Sequence, residues 1–87
     1  MMNKVDTTME KSTRLGVYRI LRKLGVNRED IYPEATFKND LFFDDKDWVC
    51  FLFFVESKFN ISLKDEEILQ LKTVESTIHT VDKYLQN

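Results

Sequence analysis

The chain has 87 residues, 43% of them hydrophobic, with 13 Lys/Arg against 15 Asp/Glu and a net charge of −2. Its length suits one core rather than two, and its apolar content excludes extended disorder away from the ends. A single cysteine, Cys50, excludes an internal disulfide and fits the reducing cytoplasm, where the protein is expected to reside.

Two glycines and one proline leave few breakers, and apolar and polar residues do not alternate as in strands, so the chain reads as all-helical. Residues 1–11 read as a flexible polar lead-in without the apolar run of a leader peptide, and residues 12–87 as the folded domain. A first helix is predicted over 12–24. Val17, Ile20, Leu21 and Leu24 form its stripe, and Gly25 supplies the stop. A long connection follows over 25–43, anchored by Val26, Ile31, Tyr32, Phe37 and Leu41, with a short turn over 35–39.

Asp44 is predicted to cap a second helix. Asp45 and Asp47 lie in its first turn, where free backbone N–H groups and the helix dipole favour anions. Trp48, Phe51, Leu52, Val55 and Phe59 form the core stripe of this helix. A loop over 60–64, a short helix over 65–71 and a last helix capped by Thr73 complete the chain. The last helix buries Val74, Ile78, Val81 and Leu85.

The charge is uneven. Residues 1–30 carry seven Lys/Arg against four Asp/Glu, a net of +3, and residues 31–87 carry six against eleven, a net of −5. Cations on the first helix read as a solvated face. The acidic remainder would repel phosphate, so no nucleic-acid partner is expected. The longest apolar run, residues 48–55, is far shorter than the roughly 20 residues of a membrane span, so no membrane partner is expected either.

Several short motifs occur in an ordered spacing: L-G-V at 24–26, A-T-F at 35–37, D-L at 40–41, D-D-K-D at 44–47, Phe59, D-E-E at 65–67 and T-V-E-S-T-I at 73–78. This series resembles the acyl carrier proteins of fatty-acid and polyketide synthesis. It covers residues 24–81 without a gap, about two thirds of the chain. The resemblance implies an acyl-carrier-protein-like four-helix bundle with a short third helix and a long first loop. It also implies a prosthetic-group position at the start of the second helix.

That position is altered. The family's phosphopantetheine-bearing serine falls on Asp45, its preceding glycine on Phe42, its following leucine on Lys46, and an acid typical of partner docking on Cys50. A carboxylate has no hydroxyl to form a stable phosphodiester, so no phosphopantetheine cofactor is expected. Ser12, Ser57, Ser62 and Ser76 lie elsewhere in the predicted helices and loops.

Asp44, Asp45 and Asp47 lack the spacing and turn glycine of an EF-hand and read as a capped helix start, so no metal is expected. Asp45 can also imitate the charge of the missing phosphodiester. Cys50 and His79 do not make a catalytic pair, because His79 should face away from the core; no catalytic residue is expected and the chain is read as a non-enzyme.

The apolar surplus of the second helix and the residues before it is the informative part. Phe42, Phe43, Val49, Cys50, Phe53 and Phe54 exceed what the core stripe needs. Phe54 should point inward and fill the interior. Asp44, Asp45, Asp47, Val49, Cys50 and Phe53 are the candidate partner-binding residues. The reading is a binding module without a prosthetic group, docking on a protein partner such as a biosynthetic enzyme, with a homodimer as another use of the same patch. The alternative is a genuine acyl carrier protein of fatty-acid, lipid or polyketide biosynthesis.

Overall fold

A computed structural model describes residues 2–86, with side chains from Ser12 onward. Four α-helices follow in order: α1 (Met2–Lys23), α2 (Asp45–Phe59), α3 (Asp65–Ile68) and α4 (Val74–Gln86), with a 3₁₀ turn at Arg28–Asp30. α1 packs against both α2 and α4. It starts ten residues before the predicted start near Ser12. The lead-in predicted over residues 1–11 concerns side chains outside the described residues.

The end of α1 follows from Gly25. Its φ of 99° is the left-handed conformation that a residue without a Cβ adopts freely. This lets Gly25 N–H donate to Arg22 C=O at 3.0 Å and Val26 N–H donate to Leu21 C=O at 3.0 Å. The two bonds satisfy carbonyls that the last turn would leave open. Gly16 has a packing role instead, since a Cβ there would come within 2.6 Å of the Phe59 ring. α1 and α2 approach closely at that point.

The core joins Val17, Ile20 and Leu21 of α1 to Phe51 and Val55 of α2 and to Val74, Ile78 and Val81 of α4, all buried. Buried Thr13 donates its hydroxyl to the Asp82 carboxylate at 3.1 Å, so this polar group is satisfied inside the α1–α4 contact. Arg14 and Glu75 pair at 3.3 Å on the surface, where such a pair contributes little.

The long connection is ordered by backbone bonds to Lys72 in the loop before α4 and to the first two residues of α4. Phe37 N–H donates to Lys72 C=O at 3.2 Å, Val74 N–H to Ala35 C=O at 3.0 Å and Glu75 N–H to Pro33 C=O at 2.9 Å. Asp40 completes it locally, accepting from the Thr36 N–H at 2.8 Å and the Thr36 hydroxyl at 3.0 Å. Ile31, Ala35, Phe37 and Leu41 are buried beneath this loop. Tyr32, expected as an anchor, is 41% exposed, and Ala35 takes the interior place instead. The short helix α3 stops at Ile68 rather than at 71, because Leu69 to Leu71 turn to bring Leu71 into the core.

Thr73 caps α4 as predicted: its hydroxyl accepts from Ser76 N–H at 3.1 Å. Asn60, at φ 56°, ends α2 in the left-handed conformation that asparagine tolerates.

Candidate functional site

The start of α2 is built by a reciprocal cap. Asp47 N–H donates to Asp44 Oδ1 at 2.8 Å, and Asp44 N–H donates to Asp47 Oδ2 at 3.2 Å. Two helix-end donors are satisfied by two carboxylates that would otherwise repel. Asp45, between them, is exposed and makes no side-chain hydrogen bond to the described residues. Its charge stands free at the positive end of the helix. Among the described residues, no group of three or more His, Cys, Asp or Glu is arranged to hold a metal ion.

Behind these acids lies an aromatic cluster. The Phe37 ring centroid is 5.0 Å from those of Trp48 and Phe51 and 5.6 Å from that of Phe43. Phe51 also meets Phe43 and Trp48, each at 5.8 Å. These are ordinary packing distances for tilted and offset rings. The cluster fills the space inward of the α2 start. Outside it, an open cleft of about 490 Å³ runs from Asp44 and Asp45 past Phe43 and Trp48 to Ile68, Leu69 and Leu71, with Lys38 and Lys72 also lining it.

The outer face of α2 carries the other predicted residues. Val49 and Phe53 are each 64% exposed, and Cys50 is exposed beside them. Phe54 packs against the core as its predicted inward orientation implies, but without full burial. It is only half-buried, at the α1–α2 edge, with the Lys23 ammonium 5.3 Å from its ring centre. A cation over an aromatic face is a favourable contact that keeps such a ring partly at the surface. His79 is exposed on α4, away from the core.

Two residues of this region were not among the predicted site residues. Phe42 is 79% exposed and has φ 57°, a conformation that a bulky side chain rarely adopts. Its sequence signal is the replacement of a glycine in the D-L-G pattern. Leu69 is 75% exposed at the cleft. Its signal is weak, because Ile68 and Leu71 already supply the inward positions of that short segment.

Three carboxylates are held below their ordinary pKa by hydrogen bonds to the charged form. For Asp40 the main donor is the Thr36 backbone N–H, for Asp44 the Asp47 backbone N–H, and for Glu67 the Tyr84 hydroxyl. A depressed folded-state pKa stabilises the fold above the unfolded value, near 4, and that contribution is lost as pH falls through the folded value. Urea unfolding should therefore give a stability that is level from about pH 7 to 5 and declines below about pH 4. Asp40→Asn should flatten that decline. An unchanged pH profile in the variant would exclude the Thr36–Asp40 contact as a source.

The four helices, the short α3, the long tied loop and the capped start of α2 together define an acyl-carrier-protein-like helical bundle. The chain is similar to a solved structure from Mycobacterium tuberculosis described as a candidate acyl carrier protein, with a TM-score of 0.67 and 24% identity over 87% of this chain and 97% of that one. No protein-family model matches the chain.

The resemblance implies a phosphopantetheine position at the start of α2, and the side chains there offer no hydroxyl for it. Asp45 offers a carboxylate where a phosphodiester needs a hydroxyl. Ser76 is engaged in the α4 cap, and Ser12, Ser57 and Ser62 lie away from the α2 start. Among the described residues, no helix is long and apolar enough to cross a membrane.

Proposed function

We propose that this chain is a carrier-protein-like binding module that works without a prosthetic group and without catalysis. It docks on a protein through the start and outer side of α2. The observation that carries this reading is the exposure of Val49 and Phe53, 64% each, directly behind the free Asp45 carboxylate. Two large apolar side chains held in water on one helix face mark an interaction surface more readily than scattered exposed residues do. Asp44, Asp45 and Asp47 steer a basic partner, and Val49, Cys50 and Phe53 hold it. A biosynthetic enzyme of the cytoplasm suits that description, while nucleic acid and membrane do not.

A genuine acyl carrier of fatty-acid, lipid or polyketide biosynthesis is the second reading, favoured by the cleft of about 490 Å³ beside Asp45. Intact mass after coexpression with a broad-specificity phosphopantetheinyl transferase separates the two. The first reading expects the polypeptide mass alone. A covalent phosphopantetheine increment on any residue would replace it with the second.

A further inference from the structure

The element beside the cleft with the least support is α3. Its four residues, Asp65–Ile68, fall far short of the roughly 12 that a helix needs to persist alone. The extensive helix contacts are those of α1 with α2 and α4, and α3 has none of that extent. Its segment is fixed at both ends. Leu63 N–H donates to the Glu56 carboxylate at 2.7 Å, and Lys72 C=O accepts from Phe37 N–H at 3.2 Å. Leu63 and Leu71 are buried beside these two anchors. Between them Ile68 is half-buried and Leu69 exposed, and both line the cleft of about 490 Å³ that reaches Asp45.

A single carboxylate oxygen holds the middle of this segment. Glu67 Oε1 accepts from Lys64 N–H at 3.0 Å, which closes the first turn of α3. It also accepts from the Tyr84 hydroxyl of α4. Among the described residues, this second bond is the only hydrogen bond from α3 to another helix. Glu67 and Tyr84 are both half-buried, so water replaces the bond when it breaks and neither group is left unsatisfied.

We infer that the Tyr84–Glu67 bond is a latch: it holds α3 against α4, α3 is the movable wall of the cleft, and release of the bond widens the cleft beside Asp45. The device is independent of the outer face of α2 and of any partner bound there. Opening gives up one hydrogen bond and the partial burial of Ile68. It leaves intact the core of Val17, Leu21, Phe51, Val55, Ile78 and Val81, so it is a local event and not unfolding.

Native-state hydrogen exchange in low urea tests the latch. The Ile68 and Leu69 amides, bonded to Lys64 and Asp65 carbonyls, should exchange with little urea dependence, because local opening exposes little surface. The buried Val55 and Ile78 positions should follow the steeper dependence of global unfolding. Tyr84→Phe keeps the ring and removes only the hydroxyl. It should speed exchange at Ile68 and Leu69 about tenfold, the effect of one partly exposed hydrogen bond to a carboxylate, while their weak urea dependence persists. Movement of the wall is read separately by maleimide labelling of a thiol placed on it, Ile68→Cys with Cys50→Ser. Adding Tyr84→Phe should raise the labelling rate by a similar factor.

Three results would overturn the latch. One is exchange at Ile68 and Leu69 with the urea dependence of Val55 and Ile78, which would mean that α3 opens only when the domain unfolds. Another is exchange that Tyr84→Phe leaves unchanged. The third is faster exchange with an unchanged labelling rate, which would mean that α3 frays in place without moving the wall.

Discussion

Phe51→Ala should cost about 3–5 kcal/mol, whereas Phe54→Ala should cost no more than about 2. The two residues sit three apart in the same apolar run, yet their surroundings differ. Phe51 is fully buried and touches the rings of Phe37, Phe43 and Trp48, so its removal leaves a void that several aromatic neighbours line. Phe54 is only partly buried, beside Lys23 at the edge of the core, and water can fill part of the space it leaves. Urea denaturation of the two variants is the check. A small domain has a total stability of only several kcal/mol, so Phe51→Ala should leave the chain largely unfolded at room temperature. Equal costs for the two substitutions would mean that the aromatic cluster is not the centre of this core.

Phe42→Gly should act in the opposite direction and stabilise the fold by up to about 1 kcal/mol. The left-handed conformation costs a residue with a Cβ about 1–2 kcal/mol, and the extra freedom that glycine brings to the unfolded chain returns roughly half of that. At 79% exposure the phenyl ring gives up little burial when it is removed. Thermal or urea unfolding reads the effect directly. A destabilised Phe42→Gly variant would show that the ring makes a stabilising contact worth more than its backbone strain. Strain of this kind is kept where the surroundings impose it, and it clusters at working sites. Phe42 lies two residues before Asp44, the cap of α2, so its strain and its exposure fall beside the proposed docking region.

The helices were legible in the sequence because their cues are local. Gly25 ends α1, Asp44 caps α2 and Thr73 caps α4 through bonds that span a few residues, and those bonds are present. The acyl-carrier-protein-like arrangement was legible from the ordered spacing of motifs, since that spacing sets helix and loop lengths. The same spacing is what sets Asp45 at the serine position that the resemblance implies.

Other features depended on the tertiary structure. Periodicity places Phe51 and Phe54 in one apolar run, but only the packing of α1 against α2 decides that Phe51 is buried and that Phe54 stays partly exposed, in reach of Lys23. Tyr32, expected as an anchor, stays at the surface and Ala35 is buried because the connection is pinned by Phe37, Val74 and Glu75 N–H bonds to residues distant in sequence. Such bonds have no local signature. The face of α2 that stays uncovered was decided in the same way: Val49, Cys50 and Phe53 are as apolar as their neighbours, and they remain in water because α1 and α4 pack on the opposite side of the bundle.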